Sequence, residues 1–385
     1  MGRKDKKRSL SVCFFGTYES PFPRSITLKQ ACRLRGIRVI DCHFPFWERK
    51  KEKLELFSAK SIAKMAFQLI FIYLRLAIRY LRLEDHEALI VGYNGYLDMP
   101  LARLLACLRR KPLIYTPVFP LYETAVEDRG YINRKSLKSR AIHFIDEFSC
   151  RLADLIIIET ETYMNYYCQE FKVPREKIFK IPLGADEANF HPHPQKPQKS
   201  NSQKLKILFY GKFIPLQGIP YIVKAAKLLE RQREIEFKII GSGQLTEEIR
   251  NLAGKLEVKN IHFIDWVNYS QLPRHIEEAD ICLGIFGDTP KAQRGIPIKV
   301  YEALAMQKAV ITGRSPAAQE VFTHGVDSML CEMANPEALA ESILKLKQDR
   351  KLRERIAEEG FKLYQNLFSS SRIAEEFEKA LNRCL

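Results

Sequence analysis

A chain of 385 residues exceeds what one ordinary hydrophobic core covers, so two domains are expected. Hydrophobic residues at 46% and charged residues at 28% exclude an intrinsically disordered chain. The net charge of +16 is uneven, with 33 Lys/Arg against 22 Asp/Glu in residues 1–187 (+11) and 29 against 24 in the rest (+5). That excess suits nucleic acid, anionic lipid headgroups, phosphorylated substrates or solubility alone, and its sign does not choose among them.

In chain order, apolar runs predict strands at Ser11–Phe15, Val39–Cys42, Ala88–Val91, Leu113–Tyr115, Leu155–Glu159 and Ile178–Ile181. A second set follows at Lys206–Tyr210, Phe237–Ile240, Ile261–Ile264, Ile281–Ile285 and Ala309–Thr312. Between the second set lie helical patterns at Ile219–Arg231, Leu245–Leu256, Tyr269–Ala279, Ile298–Met306 and Pro336–Lys347. Strand–helix alternation predicts parallel sheets covered on both faces, and two such sets predict two doubly wound α/β domains. Residues 190–204, with three prolines and few apolar side chains, read as a linker, and a proline-punctuated linker is favoured over a metal role for His191 and His193. The expected division is 1–189, linker 190–204 and 205–361, with a charged helix from about 362 to 385 crossing back to the first domain. Open α/β sheets bind ligands outside the carboxyl ends of their strands, so two such sheets predict a central cleft between them.

The stretch Lys60–Leu83 is the most hydrophobic, yet its charge-free part, Met65–Leu74, is only 10 residues, short of the roughly 20 that cross a bilayer. Its apolar face is expected in the core, and Lys60, Lys64, Arg75, Arg79 and Arg82 are expected to add to a patch facing anionic membrane. The 9 cysteines form no C-x-x-C pair and read as buried thiols in a reducing, cytoplasmic compartment; no secretory leader is expected.

Chemistry-bearing residues cluster at strand ends. Gly211-Lys212 follows one predicted strand, with Gln217-Gly218 just beyond, and Gly241-Ser242-Gly243 follows the next. Glycine lets backbone approach an anion and the lysine adds a neutralising charge. Pro297 is placed at the first position of a helix, with Arg294, Gly295 and Ile298 at its N-terminus, where free N–H groups favour phosphate. Lys299 and Glu302, three apart, share a helical face: the lysine can neutralise a diphosphate and the carboxylate can accept from a ribose diol. From spacing alone, an ordinary surface Lys–Glu pair is the favoured reading.

The segment Pro297-Ile-Lys299-Val-Tyr-Glu302-Ala-Leu-Ala305-Met-Gln307-Lys-Ala309-Val310-Ile311 resembles the donor signature of retaining glycosyltransferase family 4, roughly P-x-K-x-x-E-A-x-A-x-G-x-P-V-I. Gly211–Gly218 is similar to that family's G-R-x-x-x-x-K-G, and Gly241–Gly243 to its G-x-G. Phe15-Gly16-Thr17-Tyr18 with Pro23-Arg24, and Tyr122–Arg129, resemble a subset of its members. The resemblance implies the GT-B architecture, two Rossmann-like domains facing a cleft, and retaining hexosyl transfer from a UDP- or GDP-linked sugar to a glycan or lipid-linked acceptor in cell-surface polysaccharide biosynthesis. It implies that Lys212, Lys299 and Glu302 act in catalysis, with donor contacts from Gly16, Gly211, Gln217, Gly241, Gly243, Arg294, Gly295, Pro297 and Ile298. On the acceptor side it points to Thr17, Arg24, Glu123, Asp128 and Arg129, of which the last three fit a loop ion-pair cluster equally well.

Three departures stand out. The acid expected eight residues before Glu302 is Arg294, the arginine of G-R is Lys212, and the lysine of K-G is Gln217. Arg294 and Lys299 are therefore expected to flank the diphosphate, and Arg294→Ala to abolish donor binding. Gln307 and Ala309 replace the usual Gly and Pro. No D-x-D stands at a strand end, so metal-independent transfer is expected, with no resident cofactor. The competing readings are a nucleotide-sugar-binding protein and an epimerase or phosphorylase on the same architecture. Nucleic-acid binding ranks last, since no recognisable module interleaves cations with aromatics.

Overall fold

The computed structural model describes residues 10–48, 59–192 and 204–385. Most of the predicted linker, 193–203, lies outside those residues. In the first half the strands are β1 (Ser11–Gly16), β2 (Arg38–His43), β3 (Ala88–Val91), β4 (Leu113–Tyr115), β5 (Leu155–Ile158) and β6 (Ile178–Lys180). In the second they are β7 (Leu205–Tyr210), β8 (Ile235–Ile240), β9 (Ile261–Ile264), β10 (Ile281–Leu283), β11 (Ala309–Gly313) and β12 (Met329–Cys331). They form two six-stranded sheets, ordered β2-β1-β3-β4-β5-β6 and β12-β11-β10-β7-β8-β9. Every ladder within them is parallel. The second order, renumbered from its own first strand, is the doubly wound 3-2-1-4-5-6. Val, Ile, Leu and Phe fill the inner strands β1, β3, β4, β5, β7, β8, β10 and β11 and are buried on both faces, which requires helices above and below each sheet.

Helices α1 (Pro23–Leu34), α2 (Ala59–Leu81), α3 (Met99–Arg109), α4 (Leu137–Leu152) and α5 (Glu161–Glu170) cover the first sheet. The second carries α6 (Ile219–Leu228), α7 (Thr246–Lys255), α8 (Leu272–Glu278), α9 (Ile298–Ala305), α10 (Pro316–Gln319), α11 (Pro336–Gln348) and α12 (Arg350–Leu363). Helix starts follow local chemistry: Ser136, Thr160 and Asn335 each accept from the backbone N–H three residues on, and Pro336 stands at the first turn of α11.

The chain crosses between the halves twice. The outward crossing leaves β6, where the fully buried Arg24 donates to the carbonyls of Ile181 (2.7 Å) and Pro182 (2.9 Å). The return passes through a wide turn, Tyr364–Phe368, into α13 (Ser370–Cys384), which packs along α1 of the first half. Glu187 pins the two crossings together, accepting from the Tyr364 hydroxyl (3.1 Å) and the Ser370 N–H (3.0 Å).

Three expectations need correction. Strand β12 went unanticipated, because its three residues, Met-Leu-Cys, are too short a run to register. Helix α2 buries only one stripe, Leu69, Ile72, Leu76 and Tyr80, while Phe67, Ile70, Phe71, Leu74 and Ile78 stay exposed. Its apolar residues encircle more of the helix than a single core-facing side can absorb. All the described cysteines are free, but Cys107 is exposed and Cys168 and Cys384 are half-buried.

Candidate functional site

The carboxyl ends of β7, β8 and β10 and the start of α9 converge on one edge of the second sheet. Gly211 and Gly241 touch so closely that a Cβ on Gly241 would stand 1.9 Å from the Gly211 carbonyl oxygen. With φ at +138° as well, position 241 excludes other residues. The two turns are laced together by Phe213 N–H to Ser242 O (3.0 Å) and Leu245 N–H to Phe213 O (3.0 Å), beside Gly243 and Lys212. The turn Pro215–Gln217 is held against the end of β10 by Phe286 N–H to Gln217 O (3.1 Å).

Lys299 and Glu302 are both buried in the first turns of α9, which excludes the surface-pair reading. The Lys299 ammonium donates to the Gln217 side-chain oxygen and lies 3.8 Å from the Phe209 ring centroid. Burial holds its pKa well below the ordinary lysine value, with Glu302 pulling the other way. Glu302 accepts from the hydroxyls of Tyr210 (2.7 Å) and Tyr269 (2.9 Å). Burial pushes its carboxyl up to about 7 against the opposing tyrosine bonds and Lys299. Tyr210 and Tyr269 had no motif to mark them. Pro297 stands at the cap, one position before the helix, rather than at its first residue, and Ile298 opens the helix.

Facing this edge are the strand ends of the first sheet. Asp98 closes the turn after β1, accepting from the Thr17 N–H (2.6 Å) and hydroxyl (2.9 Å), with Gly16 packed on it. Thr17 is therefore buried within its own domain, and the fully buried Arg24 serves the outward crossing through both terminal nitrogens.

Arg294 departs most from expectation. Its guanidinium pairs with Glu123 (2.6 Å) and Glu127 (2.9 Å) of the first half and stacks 3.7 Å from the Tyr166 ring centroid. Glu123 also accepts from the Tyr163 hydroxyl (2.8 Å). Arg294 is thus neutralised across the cleft, not turned toward a diphosphate. Beside it, the Lys291 ammonium donates to the Thr124 hydroxyl (2.8 Å), Thr289 donates to Asp128 (3.4 Å), and Gln244 donates to the Arg129 carbonyl (3.2 Å). Arg129 also pairs with Asp128 (3.3 Å), so the acidic and basic residues of 123–129 build an inter-domain seam.

A further residue was missed. Glu159, just past β5, is buried with neither carboxylate oxygen hydrogen-bonded, and burial pushes it up to about 8 against the Arg24 charge. Gly295 passes so close that a Cβ there would stand 2.6 Å from Glu159 Oε1. An acid directly after an apolar parallel strand is the signal that could have found it, because that edge is where ligands bind. Among the described residues, no three His, Cys, Asp or Glu side chains converge as a metal centre.

Residues 193–363 match the family model of glycosyl transferases group 1. An uncharacterized glycosyltransferase of Methanocaldococcus jannaschii is 25% identical over 248 residues, 62% of each chain. The amylovoran biosynthesis glycosyltransferase AmsK of Erwinia amylovora is 25% identical over 182 residues, 46% of this chain and 43% of that one. Matched stretches span 41%, 62% and 64% of three archaeal relatives. Anabaena HepE, crystallised with UDP, superposes with a TM-score of 0.69 at 14% identity, covering 97% of this chain and 99% of its own. Residues 193–363 are therefore similar to glycosyl transferases group 1, and the chain has the two-domain α/β fold called GT-B.

Proposed function

We propose that this chain is a glycosyltransferase that moves a hexosyl unit from a UDP- or GDP-linked donor to a glycan or lipid-linked acceptor, with retention and without a metal. The carrying observation is the buried Lys299 ammonium, set beside the strand-end glycine Gly211 at the start of α9. A departing nucleoside diphosphate gains negative charge as the sugar–oxygen bond lengthens, and a desolvated cation with helix N–H groups stabilises that charge. Gly211, Lys212, Gly241 and Gly243 form the backbone cradle, and Gly295, Pro297 and Ile298 supply the helix start. Glu302, oriented by Tyr210 and Tyr269, takes the ribose side of the site. AmsK is named for amylovoran biosynthesis, which favours a role in polysaccharide biosynthesis, and the exposed apolar residues of α2 suit work at the cytoplasmic face of a membrane.

The test is thermal stabilisation by a panel of nucleoside diphosphates and their sugars. A donor at a hundred times its Kd should add about 2.7 kcal/mol of stability. No shift from any nucleotide would sink the reading. Slow release of the diphosphate from one sugar nucleotide separates a transferase from a binding protein.

Lys299 gives the same site a proton signature. Its pKa lies below the ordinary value of 10.5 in the free protein, and a bound diphosphate raises it again. Donor binding at alkaline pH should therefore take up protons, read as a binding heat that varies with the ionisation enthalpy of the buffer. Buffer-independent heat would contradict a diphosphate at Lys299.

A further inference from the structure

A cavity of about 640 Å³ opens in the first half between α2, α4 and the turns after β3 and β4. Its walls are almost wholly apolar, with Leu69, Tyr96, Leu97, Ile142 and Ile145 among them. That volume falls in the range of sites that enclose a small ligand. Its inner end meets the cleft. Phe119 and Thr124 line it, and they also receive the Lys291 ammonium, at 4.3 Å from the ring centroid and 2.8 Å from the hydroxyl. Lys291 stands four residues before Gly295 in the loop that leads into α9. The outer end meets solvent at Ala66, Ile70 and Ala141, which are exposed and line the cavity.

The surface around the outer end is itself apolar. Phe67, Phe71 and Leu74 of α2 and Phe144 of α4 are each more than half exposed. Exposed basic residues, Lys64 on α2 and Lys138 and Arg140 on α4, stand on the adjoining turns. An exposed apolar patch of this kind marks a binding surface. The apolar cavity, the Lys291 ammonium at its inner end among Glu123, Asp128 and Glu159, and the cationic outer rim match one ligand chemistry: a hydrocarbon chain carrying an anionic phosphate.

We propose that this cavity is the chain-binding subsite of a lipid-linked acceptor, lodging its hydrocarbon while the phosphorylated head lies in the cleft against the donor loop. The proposal rests on the transferase reading, and it narrows the acceptor from any glycan to an amphiphile. The exposed faces of α2 and α4 then meet the surface from which the chain is drawn.

Butyl, octyl and dodecyl phosphate, each below its micelle concentration, provide the probe, read by displacement of a fluorescent undecanoic acid and by thermal stabilisation. Affinity should rise about fourfold per added methylene until the cavity is full. The exposed positions Ala66 and Ala141 accept bulk without disturbing the core, so Ala66→Trp with Ala141→Trp should weaken dodecyl phosphate at least tenfold. The nucleotide response of that variant should stay unchanged, which also shows that it has folded. Affinity independent of chain length, or unaltered by the two tryptophans, overturns the proposal, as does binding to anionic vesicles with no binding of the alkyl phosphates. Nucleotide stabilisation without alkyl binding overturns the subsite and leaves the transferase reading standing; alkyl binding without nucleotide stabilisation overturns the transferase reading and, with it, the cavity's role as an acceptor subsite, leaving a site for alkyl phosphates alone.

Discussion

Lys299→Met should lower kcat/KM for transfer by about 10²–10³-fold, the loss seen when one preorganised stabiliser of a developing negative charge is removed. Methionine keeps most of the side-chain volume, so the core around Phe209 and Gln217 stays filled. A buried ammonium is costly to desolvate, and replacing it with an apolar group of similar size is often neutral or stabilising. The melting temperature should therefore hold or rise while turnover collapses. Those two readouts moving in opposite directions separate a chemical role from a structural one. Transfer within threefold of wild type would remove Lys299 from the mechanism. The alkaline proton uptake on donor binding should vanish in the same variant.

Arg294→Ala should cost about 3–5 kcal/mol of stability, because it strips the partner from a fully buried carboxylate. Glu123 would keep only the Tyr163 hydroxyl, and Glu127 would lose its cation. Burial already holds the Glu123 pKa above the ordinary carboxylate value, with Lys291 and Arg294 opposing that rise. Removing Arg294 lifts it further. A carboxyl whose folded pKa is raised contributes stability below its unfolded pKa and loses it as pH rises through the folded one. The deficit of Arg294→Ala should therefore be larger at pH 9 than at pH 5, since protonation of Glu123 as pH falls removes the uncompensated charge. Adding Glu123→Gln should recover part of the loss at high pH. Urea midpoints at the two pH values provide the measurement, and a pH-independent deficit would dismiss the buried pair as its cause. Donor affinity should survive, since the guanidinium faces carboxylates and not the diphosphate.

Much of the fold could be read from the chain because parallel strands buried on both faces appear as unbroken apolar runs. Ala88–Val91 and Leu113–Tyr115 fall where those runs do, while the edge strand Ile261–Ile264 is only half-buried and carries an exposed His262. The one missed strand, Met329–Cys331, is three residues long and lacks β-branched side chains. The predicted helix Tyr269–Ala279 begins instead as a tight turn at Tyr269–Gln271, with Pro273 setting the start of α8. The glycine turns at the ends of β7 and β8 were legible, because a glycine's role depends on local backbone. Partner choice was not. Arg294 stands where a donor-contacting cation was expected, but its ion pairs lie 167 and 171 residues away in sequence, and no local pattern reports them. Glu159 was hidden for the same reason, since its closest approach is to Gly295 in the other half. Helix α2 misled because hydrophobicity was read as burial, whereas apolar atoms supply much of any folded surface.

The paired crossings set the way in which the cleft can widen. A single covalent bridge would let one half swivel in any direction over the other. Here two strands of chain pass side by side, clasped by Glu187 and by Arg24 on the carbonyls before it. Such a double crossing resists twisting of one half over the other more than a single crossing would. The ion pairs of Arg294 lie out along the closing edge, so they act as the catch of the jaw while Glu187 acts as its pin.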